Sequence, residues 1–301
     1  MNASWMRWAF FVVVATSMAG SACLAQDAKG EEKKTNTIVK AKAPIVLDGK
    51  LDDVDWQRAT VISVNCIYGK KDAVSTEPRM TVRYLWDDAY LYIGYEVFDT
   101  NLVAIGNNEM KGPANNQRQG CEISDPQKPV DVVEFFPVFD DKNLFWELHH
   151  NAANQFNDLL CIVGHASWQK AKTSLAPWGV CWARKECLAD EGSNTVSSAV
   201  LLKARADGKP STLNDSSDVD TGYTAEIRLP WGSIGAPMAA GTLVAGKLAG
   251  PWKMAGREVS LLAVFQNGDL TDRYHTSAPG LTPNFFHVQA DKFPRYTMVA
   301  E

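Results

Sequence analysis

In the stretch MTVRYLWDDAYLYIGYEVFD, Met80 to Asp99, apolar side chains return at every second position on both sides of an acidic pair. Val82, Tyr84 and Trp86 lead into Asp87-Asp88, and Leu91, Ile93, Tyr95 and Val97 lead away from it. A strand places successive side chains on opposite faces, so two such runs about a short turn predict a hairpin with one face in a core. Short runs of the same kind recur between Gly, Asn, Asp and Pro, and helical periodicity is scarce. The expected fold is all-β: an antiparallel two-sheet β-sandwich, jelly-roll-like, with a few short helical turns. With 301 residues, 46% of them hydrophobic, the chain can bury a substantial core. Its formal net charge of −5 supplies no basic footprint, which argues against nucleic acid as a partner.

The amino terminus reads as a secretory signal. Arg7 supplies the positive charge, Ala9 to Ala15 the apolar run, and the small residues from Ala19 to Ala25 a processing zone too short to span a bilayer. Cleavage after Ala25 is expected. The alternative is a lipid anchor at Cys23, because Gly20-Ser21-Ala22-Cys23 approximates a lipobox. Residues 26–37 are charged and polar and read as a disordered linker, leaving 38–301 as one exported domain, periplasmic or extracellular. Of the six cysteines, five remain after cleavage, so at least one thiol lacks an internal partner. Cys181 and Cys187 are close enough to staple a loop, and Cys66, Cys121 and Cys161 read as apolar packing residues. No zinc spacing occurs.

Three further segments accompany the hairpin. PIVLDGKLDDVDWQRA, Pro44 to Ala59, combines an apolar run, an Asp48-Gly49 turn and an acidic lead into Trp56, which suits an edge strand, a turn and one helical turn. DVVEFFPVFDD, Asp131 to Asp141, is followed by FWELHHNAANQFND, and GYTAEIRLPW runs from Gly222 to Trp231. In this order the four segments resemble the family 9 carbohydrate-binding modules and the wider family 9-like domains of secreted bacterial proteins, over roughly Ile38 to Val299. The resemblance implies a two-sheet antiparallel sandwich with a shallow site for glycan ends or small sugars. It also implies structural calcium in some members and, in others, an accessory place beside glycoside hydrolases in carbohydrate catabolism.

Carried over residue by residue, the family's ligand-binding glutamate falls on Glu134. Its asparagines fall on Asn151 and Asn154, and its arginine on His149. An imidazole can donate and accept but lacks the rigid fork of a guanidinium. Of the family's two stacking tryptophans, one position holds Lys128 and the other falls at Phe286-His287. The expected site therefore joins Glu134 and Asn151 as hydrogen-bonding groups, His149 and Lys128 as polar contacts, and Phe286 as the stacking face. Trp168, Trp178 or Trp252 could add an aromatic face from a loop, whereas Trp56 and Trp86 belong to the core.

Glycoside hydrolysis needs two carboxylates about 5 to 10 Å apart across a cleft. Asp131 and Glu134 are the best pair in one segment, but three residues apart on a strand they face opposite ways. Asp99, Glu147 and Glu226 could meet them only through the fold. No G-x-S-x-G or H-E-x-x-H occurs, and the chain is read as non-catalytic. Two other readings stay open. Similar sandwiches hold haem b, for which His149, His150, Met110, Met254 and Met298 are candidate ligands, and a pure interaction domain would bind no small ligand. The polar segment from Gly192 to Thr221 reads as a surface insertion. Its Asp215, Asp218 and Asp220, like Asp52, Asp53 and Asp55, are read as solvated, with calcium binding as the alternative.

Overall fold

The computed structural model describes residues 36–104, 117–118, 129–139, 142, 144–162, 180–181, 196–231, 253–283 and 286–301. The signal segment, Cys23, Met110, Cys121, Lys128, Trp168, Trp178, Cys187 and Trp252 lie outside the described residues. The strands are β1 Asn36–Lys40, β2 Ile62–Val64, β3 Cys66–Ile67, β4 Met80–Trp86, β5 Tyr90–Val97, β6 Gln117–Arg118, β7 Val132–Val138 and β8 Leu144–His150. They continue with β9 Gln155–Ile162, β10 Val180–Cys181, β11 Ser197–Leu202, β12 Tyr223–Pro230, β13 Glu258–Gln266, β14 Tyr274–Thr276 and β15 Arg295–Val299.

The main path of strand pairing is β10-β9-β8-β7-β13-β15-β1-β4-β5-β12-β11, with β2 on β4, β6 on β9, and β14 joining β13 to β3 beside it. The sheet curls on itself, so that β7, β8 and β13 share one apolar cluster with β4, β5 and β12. Tyr95 of β5 meets Phe135 of β7 across the interior, ring centroids 5.6 Å apart. The expected β-sandwich is present, with two departures. Its layers are joined through β15 and β1, and β1 runs parallel to both β15 and β4. β1 also opens at Asn36, two residues inside the segment read as linker.

The hairpin of β4 and β5 forms as its alternation dictates. Val82, Tyr84, Trp86, Leu91, Ile93, Tyr95 and Val97 all enter the inner cluster. The Asp87 carboxylate accepts the N–H groups of Ala89 and Tyr90, which closes the turn. On the outer face Leu85 and Tyr92 pack under Ile45, Trp56 and Ala59 of the first segment. That cover is fixed by Glu226 of β12, which accepts hydrogen bonds from Asp48 N at 2.9 Å, Gly49 N at 2.8 Å and Trp56 Nε1 at 2.8 Å.

The other half of the sheet has its own outer cover. Phe136, Val138 and Phe145 pack with Leu262 and Val264 of β13 and with Leu281, Phe286, Ala290 and Phe293. A 3-10 segment, Phe286–Lys292, supplies part of this layer. Cys66 is half-buried and unpaired, and burial pushes its thiol up. Among the described residues no helix is long and apolar enough to cross a membrane.

Candidate functional site

Alternation along β7 turns Val133 and Phe135 into the sandwich and leaves Glu134 and Phe136 on the outer face. β8 pairs with β7 in antiparallel register, setting His149 opposite Glu134. Two residues back on the same face stands Glu147, while Trp146 and Leu148 face inward. Glu134, Glu147 and His149 therefore converge, each buried and each offering one ligating atom within 4.8 Å of the others. The 3-10 segment adds His287. Glu147 is held between two imidazoles, with His149 Nε2 2.9 Å from Oε1 and His287 Nε2 2.8 Å from Oε2.

Aromatic rings adjoin this cluster at His287, whose ring centroid lies 5.6 Å from that of Phe136 and 6.4 Å from that of Phe145. The Phe286 ring lies 4.4 Å from Tyr68, 5.7 Å from Phe136 and 5.9 Å from Tyr274, centroid to centroid. In so apolar a setting charge is costly unless paired. Burial alone would raise Glu147, but the two imidazoles, His287 foremost, overcome it and hold the carboxylate well below its usual range. Burial pushes Glu134 up to about 7, a rise that Glu147 reinforces and His149 opposes. For His149 burial acts against the charged form, yet the hydrogen bond and charge of Glu147 raise it overall.

Glu134 and His149 differ from Glu147 in their hydrogen bonding. No described residue donates a hydrogen bond to the Glu134 carboxylate, and His149 Nδ1 is buried without a hydrogen-bond partner. Buried polar groups are paired in the great majority of cases.

No curated protein matches the sequence. Residues 47–123 match the profile of a family described as carbohydrate family 9 binding domain-like. Over those residues the chain resembles a family 9-like carbohydrate-binding domain. Among solved structures it is similar to a protein of Bacteroides uniformis ATCC 8492 described as a candidate carbohydrate-binding protein. That pair is 15% identical with a TM-score of 0.51, covering 88% of this chain and 97% of that one, a likeness of fold. Two structures of a family 9 carbohydrate-binding module from Caldicellulosiruptor kristjanssonii also align. The complex with cellotriose is 14% identical over 89% of this chain and 95% of that one, TM-score 0.42. The complex with glucose is 15% identical over 88% and 97%, TM-score 0.45.

The profile match ends before β7, so the site is read from its own geometry. Glu134 and His149, both named from sequence, are brought together. Asn151 is not part of the cluster. Its Oδ1 accepts the N–H groups of Ala153 and Gln155 and its Nδ2 donates to Gln155 Oε1, so it fastens the turn between β8 and β9. Phe286 is 8% exposed and packed among rings, a wall rather than an open stacking face. Lys128 is outside the described residues. Glu147 was legible only as a carboxylate of unknown neighbours, although its two-residue spacing from His149 is a usable signal. His287 was signalled only by its place beside Phe286.

The other candidates resolve differently. His150 faces the interior, where burial lowers it to about 4; Tyr95 OH donates to its Nδ1 at 2.5 Å and its Nε2 donates to Asn154 Oδ1 at 2.9 Å. Neither nitrogen is open to a haem iron in this arrangement. Met254 and Met298 pack in the inner cluster. Asp131 accepts from Val103 N and Gly268 N, away from Glu134. Asp53, Asp55 and Asp220 likewise accept backbone N–H groups, and Asp218 pairs with Thr212 and Arg205. Glu134 and Glu147 form one close carboxylate pair, and both Glu147 oxygens are engaged by imidazoles.

Proposed function

We propose that this domain binds carbohydrate without catalysing a reaction, at the outer face of β7 and β8. The observation that carries the reading is the Glu134 carboxylate, buried on the outer face of β7 and receiving no donor from the described residues. A sugar hydroxyl is a donor and an acceptor at once, so one could donate to Glu134 while a neighbour meets His149 Nδ1. Tyr68 and Tyr274, both half-buried, supply rings against which the C–H face of a pyranose can lie, with Phe286 packed behind them. The amino-terminal sequence supports an exported protein, with cleavage after Ala25 or a lipid anchor at Cys23. The family resemblance supports glycan ends or small sugars as ligands and an accessory role in glycan degradation.

The test is calorimetry of the full chain against a panel of mono- and oligosaccharides, beside Glu134→Ala. Losing a hydrogen bond to a charged group costs about 1.5 to 3 kcal/mol, so the variant should bind about 10- to 100-fold more weakly with little change in Tm. Equal affinity in the variant removes Glu134 from the site. Release of new reducing ends from any glycan would overturn the non-catalytic part.

A further inference from the structure

The same cluster has a donor set that sugar binding alone does not call for. We propose that Glu134, Glu147 and His149 form a site for a divalent first-row transition-metal ion, with His287 orienting Glu147 from its far side. The three ligating atoms lie within 4.8 Å of one another on two adjacent strands whose register fixes their spacing. Glu134 is 5% exposed and His149 3%, and the first accepts no hydrogen bond from a described residue while the second leaves Nδ1 without one. Two carboxylates stand close together in a buried setting, where a dication would pair with both as the imidazoles give up their protons.

The donor types select the ion. One imidazole with two carboxylates suits zinc, manganese or iron(II), whereas calcium takes six to eight oxygens and no ring nitrogen. His287 Nε2, 2.8 Å from Glu147 Oε2, stands where an outer-shell partner fixes a ligating carboxylate. With one Glu134 oxygen on the ion, its second stays available to a hydroxyl. The inference goes beyond the sugar reading and does not depend on it.

The experiment uses the full chain, stripped with chelator and titrated with cobalt(II) as a coloured stand-in. Saturation at a single equivalent with visible d–d bands, and displacement by zinc but not by calcium, is the expected result. Glu134→Gln is nearly isosteric and removes no hydrogen bond seen here, so it should fold while weakening cobalt binding by more than about 10-fold. A wild-type chain with no bands and no stoichiometric uptake would overturn the site. So would displacement by calcium, or an unchanged affinity in the variant. A blank sugar screen leaves the cobalt readout untouched, so the two readings fail separately.

Discussion

Glu226 lies in the fourth segment of the family pattern, and its partners lie in the first. Its carboxylate takes three donors, from Asp48, Gly49 and Trp56, while 1% exposed. Replacing it with alanine would orphan buried N–H groups, at a cost of about 3 kcal/mol in urea unfolding. The folded fraction should bind ligand as wild type does, because Glu226 stands on β12 and the Glu134 cluster on β7 and β8. A loss under about 0.5 kcal/mol would show that the motif is not the clasp described. Residue identity in the sequence revealed which side chains were unusual, but not which partner each would find. Asn151 matched a ligand position and proved to fasten a turn, whereas Glu147, read only as a spare carboxylate, stands at the centre of the cluster.

At the scale of elements, strand alternation was the most legible feature. The β4–β5 hairpin follows the period-two pattern, and the same rule puts His149 and His150 on opposite faces of β8. What alternation leaves open is the partner strand. The parallel pairing of β1 with β15 joins the two ends of the domain, and no local pattern encodes it. The pattern also does not explain a glycine inside β5. A methyl group at Gly94 would stand 2.7 Å from Leu51 Cδ2 and 2.9 Å from Trp56 Cη2, so the bare position lets both side chains approach the strand closely. Gly94→Ala should cost about 1 to 3 kcal/mol, read as a lower Tm with the fold retained. An unchanged Tm would mean that the first segment does not pack on β5 as described.

Across the described residues, the sandwich lends each half of the curled sheet one inner and one outer apolar face, and the Glu134, Glu147 and His149 cluster belongs to an outer one. Where the ends of β5 and β13 approach, Asp99 and Asp131 are buried close to each other. Burial, then the neighbouring Asp99 charge, pushes Asp131 up to about 8, and burial pushes Asp99 up to about 6. Asp131 is thus protonated in the native state at pH values where the unfolded chain has released its proton, so its contribution to stability falls as pH rises from about 4 to about 8. Asp131→Asn removes that titration. The unfolding free energy of the variant relative to wild type should therefore improve steadily across this window, and a constant difference would contradict the burial of the pair. Such long-range meetings of acidic residues were not legible in sequence, since nothing local brings position 99 to position 131.

The central claim is that sugar is held on the outer face of β7 and β8. Its most direct test is the imidazole nitrogen spectrum of the protein, recorded as a sugar that gives heat in calorimetry is added. The account predicts saturable shifts at His149 and His287 with the same dissociation constant as the heat, and an unmoved His150 on the inner face. Saturation that leaves His149 unmoved would contradict it and place the ligand elsewhere on the domain.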